Sequence, residues 1–508
     1  MTADHSGDSR PPRGAGPVSS PRIVIVGAGI AGLAAALRIA REAPELDLVV
    51  CESGPRPGGV IATERGGDRG EYLVEAGPDS FLTEKPEALR FCEEIGIAGT
   101  LQDVQPAAAR TYVVCRGRLT PIPEGFRILA PTRIGPWLRS PLFSWPGKVR
   151  MAMDWILPRG GSVPDESVES FVTRRLGREV FDRAAEPMIG TIYTADAAAL
   201  SLAATMPRFL DLERRHGSVI RGLRRARTAV PEAARGPATS GPGVVDRRLG
   251  VFATAADGMQ ALVEAAVGRL PAGVLRLRTS ATSVSPVPSG RRYHVALAGG
   301  GRLEAEAVLV ATSAPAAARL LGGVDETLAA DLAAISYASS ASVTLAYRRA
   351  DVRHPLDGFG FVVPRVEGRP ILAASFLSVK FARRAPADRA LLRVFLGGAL
   401  APGTLDMDDG GLVATAHREM ERLLGAGTAP RFARVHRHRD AMPQYVVGHL
   451  ARVAAIEARV AGHAGLALAG GAYRGVGISD CIRSGETAAD LVLTHVRSRS
   501  VTRSGAPR

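Results

Sequence analysis

Six residues near the N-terminus, Gly27-Ala28-Gly29-Ile30-Ala31-Gly32, have the types and spacing to cradle a diphosphate. They follow at once on the apolar run Ile23-Val24-Ile25-Val26 and lead into a helix-forming stretch, Leu33–Glu42. In that setting Gly27 permits a tight turn, Gly29 lets a pyrophosphate approach the backbone, and Gly32 allows the helix to pack closely on the strand. The helix start offers unpaired N–H groups and its positive dipole end to the phosphates. Glu52, twenty positions past Gly32, can accept hydrogen bonds from ribose hydroxyls, and Ser53 follows it. Next comes Gly58-Gly59, a pair that the plain NAD fingerprint lacks. It lets a second loop lie against the longer pyrophosphate of FAD.

Two more constellations point the same way. Gly77-Pro78-Asp79-Ser80 is a compact turn that could bring backbone amides to a ligand. Far along the chain, Gly470-Gly471-Ala-Tyr473-Arg474-Gly475-Val476-Gly477-Ile478 stands between a strand and a helix. Such a helix start can direct its dipole at the pyrimidine end of a flavin. Other candidates are fewer. There is no nucleophile–base constellation. His436-Arg-His438 could be half a metal site, but no third ligand is evident, so no metal is expected. Lys85 could bind a substrate carboxylate or simply start a helix. Tyr193 and Tyr445 could line a cavity or fill a core. Arg56, Arg174 and Arg208 are further candidate cations.

These residues need elements to hold them. The run Ile23–Val26 reads as a strand buried on both faces, Leu33–Glu42 as a helix ended by Pro44, and Leu46–Cys51 as a second strand: one βαβ unit. Arg139–Asp196 reads as mostly helical, with one helix over Ser162–Phe181. Arg221–Leu249, rich in Arg, Gly, Pro and Ala, reads as a mobile loop. Alternating patterns from Leu275 to Phe395 read as strands, with a helix near Ala314–Leu321 between them. Asp480–Val496 reads as a final helix. Glycine sites at both ends of the chain imply that the two ends build one cofactor domain and that the middle is inserted.

The chain has 508 residues, 46% apolar and 22% charged, ample for several domains with a large core. This excludes collagen, coiled coil and wholesale disorder, and no run is long and apolar enough to span a bilayer. The net charge is +14, yet Lys85, Lys148 and Lys380 are the only lysines. Arginine so dominant, with little aromatic interleaving, reflects composition, and no nucleic-acid partner is expected. Cys51, Cys92, Cys115 and Cys481 are scattered, with no metal or disulfide spacing. Met1–Ser20 lacks an apolar signal region. A cytoplasmic protein is expected.

Taken in order, Gly27–Gly32, Glu52 with Gly58-Gly59, Gly77–Ser80, Asp257-Gly258-Met259-Gln260, Met442-Pro443-Gln444-Tyr445 with Gly448-His449, and Gly475-Val476-Gly477 with Asp480-Cys481-Ile482 resemble the protoporphyrinogen/coproporphyrinogen III oxidase family. The nearest likeness is to its soluble bacterial coproporphyrinogen III oxidases. The likeness runs from about Arg22 to Val496.

The resemblance implies an α/β (α+β mixed) fold. A discontinuous Rossmann-like FAD-binding domain would comprise 21–102, 250–313 and 449–497. An inserted mixed-sheet substrate domain would comprise 103–130, 200–249 and 314–448, with a helical domain at 131–199 and disordered tails at 1–20 and 498–508. It implies FAD at Gly27, Ala28, Gly29, Ile30, Ala31, Gly32, Glu52, Ser53, Gly58, Gly59, Gly77, Pro78, Asp79, Ser80, Val284, Val476, Gly477 and Ile478. Substrate contacts are candidates at Lys85, Tyr193 and Tyr445. The implied reaction is a six-electron oxidation of coproporphyrinogen III, with protoporphyrinogen IX as the alternative substrate, O2 as acceptor and H2O2 released.

Some family members associate with membranes through the helical domain, so the cluster Trp137, Leu138, Leu142, Phe143 and Trp145 is a candidate for weak membrane or haem-pathway enzyme contact as well as for a cavity wall or helical core. A monomer or homodimer is expected. Three departures stand out: Thr191–Asp196 where the family reads Gly-Ile-Tyr-Ala-Gly-Asp, Ser479 where Pro is usual, and the segment Arg221–Leu249, longer and more basic than expected. Another flavin amine oxidase or desaturase, and a cofactor-less binding protein of the same fold, remain alternatives.

Overall fold

The computed structural model describes residues 20–106, 110–127, 129–161, 165–228, 249–288 and 292–504. A five-stranded parallel sheet stands at its centre, in the order Leu275–Arg276, Asp47–Cys51, Arg22–Val26, Ala307–Val310, Leu466–Leu468. Strands from both ends of the chain and from its middle therefore share one sheet. Its inner strands are continuous apolar runs because both faces are covered. Helices Ile30–Glu42 and Ile478–Ser504 pack on one face through Leu33, Ile39, Ile482 and Leu493. Helices Ala314–Leu321, Glu326–Ala333 and His449–Ala461 cover the other.

A second sheet of seven strands has the order Phe432–Pro443, Tyr337–Arg348, Arg389–Gly397, Ile371–Phe376, Gly360–Val362, Thr111–Cys115, Arg118–Pro121. It is antiparallel except where Gly360–Val362 runs alongside Thr111–Cys115. One face is apolar and packs Val343, Leu345, Leu392 and Val394 against Leu412, Ala416 and Met420 of helix Asp409–Leu424.

A helical layer forms the third core, from Trp137 through Phe171 and Phe181 to Phe209 and Ile220. The fully buried Arg175–Asp154 pair ties it together: Arg175 Nε donates to Asp154 Oδ1 at 2.7 Å and Ser218 Oγ to Oδ2 at 2.6 Å.

Several expected boundaries move. The helical core runs past 199, since Leu202, Phe209 and Ile220 belong to it. Arg221 onward continues helix Val219–Thr228, not a loop, because Val219 and Ile220 anchor it; 229–248 lie outside the described residues. The expected helix Ser162–Phe181 is broken: Ser167 caps Val168–Leu176 at its start, and Gly177, at φ +99°, ends it. Helices Ala314–Leu321 and Glu326–Ala333 pack with the parallel sheet and not with the inserted one. The last helix reaches Ser504, beyond the tail expected from 498, because Arg497 donates to the Glu42 carbonyl at 2.7 Å and Arg499 pairs with Glu306 at 2.7 Å. The expected N-terminal tail lies outside the described residues apart from Ser20.

No helix among the described residues is long and apolar enough to cross a membrane. The cluster expected at 137–145 divides: Trp137, Leu142 and Phe143 are core, whereas Leu138 and Trp145 are exposed.

Candidate functional site

The glycine loop opens onto a cavity of about 580 Å³ lined by Gly27, Gly29, Glu52, Ser53, Gly59, Thr279 to Thr282, Thr312, Ser313 and Arg319. Each glycine has its own reason. Gly27 has φ +102°, and a Cβ there would stand 2.7 Å from the Ala311 carbonyl. A Cβ on Gly32 would stand 2.0 Å from the Gly27 carbonyl, so helix and strand can approach only with glycine. Gly29 is different: its φ of −67° suits any residue and nothing lies within 4 Å of a Cβ there. Its Cα faces Gly59, whose own Cβ would sit 3.5 Å away. This open space between two glycine backbones, beside the N-terminus of Ile30–Glu42, is a cradle that a side chain would fill, and it fits a diphosphate.

Ala28, Ile30 and Ala31 contribute buried apolar contacts beneath the loop. Glu52 holds the loop's shape, its Oε2 accepting from Ala28 N–H at 2.8 Å and its Oε1 from Gly54 N–H at 2.7 Å. Gly58 N–H donates to the Ala28 carbonyl at 2.8 Å, which seats the second loop on the first.

The turn Gly77-Pro78-Asp79-Ser80 packs on that second loop; a Cβ on Gly77 would stand 1.9 Å from the Val60 carbonyl. Charges hold it from behind. Arg393 donates to the Gly77 carbonyl at 2.6 Å and to Ala76 at 2.8 Å, and His438 Nε2 donates to Ala76 at 2.9 Å. Lys380 Nζ lies 3.0 Å from Asp79 Oδ1, which also accepts from Ser80 Oγ. Burial would raise the Asp79 carboxyl, but Lys380, then Arg393 and the hydrogen bonds, outweigh it and hold it at about 2. Deeper in, Glu75 pairs with Arg384 at 3.2 Å with both 1% exposed, and burial pushes the Glu75 carboxyl up against Arg384's pull.

The late glycine loop is pinned by the Met442–His449 segment. Tyr445, fully buried, donates through Oη to the Gly471 carbonyl at 2.7 Å and accepts from Gly475 N–H at 2.8 Å. Its ring stacks on His449 at 4.0 Å between centroids, and His449 Nε2 donates to the Tyr473 carbonyl at 2.8 Å. Val476, Gly477 and Ile478 follow, with Cys481 N–H closing on the Gly477 carbonyl as the helix begins. Asp480 beside them pairs with Lys85 Nζ at 2.5 Å and Arg483 at 2.6 Å. Ser479 is 3% exposed, its Oγ 3.4 Å from the Lys85 carbonyl.

The structure thus seats Gly58-Gly59 and Gly77–Ser80 on the first glycine loop beside Glu52 and Ser53, brings Gly470 of the late loop to Thr312 of the cavity wall, where a Cβ would stand 3.9 Å from the Thr312 carbonyl, and joins Lys85 to the helix that follows that loop through Asp480. Val284 is buried in the core with Val24 and Val308, on the strand Ala281–Pro286 whose first residues line the cavity. Tyr445 is core and its hydroxyl is spent on backbone. Tyr193 lies 5.9 Å from it, and burial, with Asp480's charge, pushes its phenol up to about 12. Arg56 donates to the Gly59 and Ile61 carbonyls and so braces the second loop of the cradle, whereas Arg174 pairs with Glu166 and Glu213 and Arg208 lies over Phe209 in the helical layer. His436 and His438 find no third ligand; among the described residues no group of three His, Cys, Asp or Glu could hold a metal.

Sequence reasoning missed Lys380, Arg384 and Arg393. The signal was present in the alternation of polar residues along Ser340–Thr344 and His436–His438, which marks a polar face on a sheet whose other face is core.

Comparison with known proteins gives one consistent picture. Residues 30–493 match the model of the flavin-containing amine oxidoreductases. Coproporphyrinogen III oxidase of Bacillus subtilis (strain 168) is 34% identical over 94% of this chain and 98% of its own length. That of Propionibacterium freudenreichii is 34% identical over 93% and 90%. The chloroplastic protoporphyrinogen oxidase of Nicotiana tabacum is 32% identical over 92% and 84%. Among solved structures, an Exiguobacterium protein provisionally assigned as a protoporphyrinogen oxidase superposes with a TM-score of 0.80 at 29% identity, over 93% of this chain and 98% of its own. Reduced UDP-galactopyranose mutase shares the fold, with a TM-score of 0.68 at 16% identity.

Proposed function

From the premise that the chain belongs to the flavin-containing amine oxidoreductases, among the protoporphyrinogen and coproporphyrinogen III oxidases, we propose that it binds FAD and oxidises coproporphyrinogen III to coproporphyrin III in haem b biosynthesis. The observation that carries this reading is the 34% identity to coproporphyrinogen III oxidases over nine-tenths of the chain. The Gly29–Gly59 cradle gives the cofactor a place.

Held between Gly29 and Gly59, FAD would supply a two-electron acceptor for hydride from the porphyrinogen, used three times per substrate, with O2 as the final acceptor and H2O2 as its product. The chain's own residues bind and orient. The helix start at Ile30 would hold the diphosphate, Glu52 would accept ribose hydroxyls, and the pinned Gly470–Gly477 loop leads into the second helix start. Tyr193, held neutral, offers a wall and not a base, which suits hydride removal that needs a positioned substrate and little acid–base machinery. Lys85, its side chain 43% exposed, is the cation we assign to a substrate propionate, with Asp480 as its partner when none is bound. We read the protein as cytoplasmic.

The reading predicts a yellow protein that forms H2O2 and coproporphyrin in a three-to-one ratio. A colourless protein that cannot be reconstituted with FAD overturns it.

A further inference from the structure

The cavity at the glycine cradle carries two opposite charges of unlike standing. Among the described residues that line it, Glu52 is the one anion and Arg319 the one cation. Glu52 is committed to the loop, its oxygens accepting from Ala28 and Gly54. Other cations around the loops are committed too: Arg56 holds the Gly59 carbonyl, and Lys380 pairs with Asp79. Arg319 differs from these. Among the described residues no hydrogen bond, ion pair or ring contact engages its side chain.

The fold places this arginine through helix Ala314–Leu321. Ser313, Ala316, Arg319 and Leu320 recur at helical spacing, so one face of the helix makes one wall of the cavity. Cα–Cβ bonds in a helix tilt towards its N-terminus, which directs a long side chain at 319 back along Ala316 towards Ser313. That end of the helix follows strand Ala307–Val310, the neighbour of Arg22–Val26. It meets the glycine loop: a Cβ on Gly27 would stand 3.3 Å from Thr312 Cγ2. The helix start is open to the same cavity, with Ser313 at the N-cap and no capping bond from its side chain. A cation in the last turn of a helix also suits the helix dipole, and that simpler role needs no ligand. It does not account for an arginine that stands in the cradle's wall with no partner of its own.

We propose that Arg319 is the counter-charge to the cofactor's diphosphate, a binding residue outside the three glycine sites. This role rests on the FAD reading. A diphosphate brings two negative charges into a cavity that already holds the Glu52 carboxylate. The cradle answers with backbone N–H groups and with helix starts worth about half a charge each. A guanidinium supplies the missing full charge, and its planar fork pairs with phosphate oxygens through charge-assisted hydrogen bonds. Arg319 is exposed to solvent, so this contribution must weaken as salt is added.

The test is titration of apoprotein with FAD at about 0.02 M and about 0.5 M salt, followed by flavin fluorescence, beside thermal unfolding of the apo form. Arg319→Gln should raise the Kd for FAD about tenfold at low salt and less than about threefold at high salt. Arg319→Lys keeps the charge and should recover most of the loss. Arg302→Gln removes the same charge from an exposed arginine outside the cavity lining and should bind FAD as wild type does. A Kd for Arg319→Gln within about threefold of wild type at low salt overturns the proposal, and a lowered unfolding midpoint beside it leaves only the helix-dipole role. A loss that persists undiminished at high salt, that lysine does not relieve, or that Arg302→Gln shares, also overturns it. Wild type decides even if the glutamine variant does not fold: its Kd must rise with salt, and an affinity indifferent to salt overturns the proposal. A wild-type apoprotein that binds FAD at neither salt refutes the FAD reading itself.

Discussion

Replacing Tyr445 by Phe removes one oxygen atom and keeps the ring stacked on His449. That oxygen serves two backbone groups of the late glycine loop, the Gly471 carbonyl and the Gly475 N–H. Water has poor access to it, since Tyr445 is 0% exposed. Leaving a buried backbone group unpaired costs about 1–3 kcal/mol, so two such groups cost about 2–6 kcal/mol if the loop stays in place. The loop has a cheaper escape: it can relax and lose the conformation that leads into helix Ile478–Ser504. The loss then shows in cofactor affinity. At about 1.4 kcal/mol per tenfold, 2 kcal/mol raises the Kd for FAD about thirtyfold. The assay is titration of apoprotein with FAD, followed by flavin fluorescence, beside thermal unfolding of the apo form. Tyr293→Phe is the control, because it removes another tyrosine hydroxyl bonded at 2.9 Å to a backbone carbonyl, that of Ala464, away from the loop. A folded Tyr445→Phe protein whose Kd for FAD stays within about threefold of wild type would refute the claim that this hydroxyl shapes the cofactor site.

Gly29→Val should fold with a near-normal unfolding midpoint, since φ is −67° and no atom lies near the added Cβ, yet retain no FAD because the side chain fills the cradle; flavin content after purification checks it. Gly32→Ala should instead fail to accumulate folded protein, its Cβ standing 2.0 Å from the Gly27 carbonyl, as far-UV circular dichroism of the expressed product will show. Asp79 is held at about 2 in the fold against an unfolded value near 4, so its stabilisation is fully present above about pH 4 and is lost as pH falls towards 2. Denaturant unfolding across that window should lose about 2 kcal/mol in the wild type, and Asp79→Asn should lose correspondingly less.

The first strand, the glycine loop and the second strand were legible because their information is local. The apolar run, the glycine spacing and the acid after the second strand lie within 30 residues, and the structure moves the helix start only from Leu33 to Ile30, where the Gly29 carbonyl already accepts from Leu33 N–H. The pairing of both chain ends in one cofactor sheet was also readable, from the third glycine constellation. Tyr445 could not be decided between cavity and core, because its partners Gly471 and Gly475 lie 26 and 30 residues on and no local pattern names them. Arg393 was out of reach for the same reason, acting on a carbonyl 316 residues away. Arginine is so common in this chain that counting it selects nothing. Arg174 and Arg208 went to neighbours in the helical layer, where Glu213 and Phe209 wait. The helix through Val219–Thr228 was hidden by its polar composition, since Val219 and Ile220 reach the core and Leu223 packs against it, with arginines between.

The central claim is that this flavin oxidase acts on coproporphyrinogen III. Coproporphyrinogen carries four propionates and protoporphyrinogen two, so a site suited to the former should gain charge-assisted hydrogen bonds with it that the latter cannot make. The direct test is kcat/KM for both porphyrinogens, measured on FAD-loaded enzyme at the same O2 concentration. The account predicts that coproporphyrinogen III is preferred. A preference of about tenfold or more for protoporphyrinogen IX, equivalent to about 1.4 kcal/mol of transition-state discrimination, would contradict it.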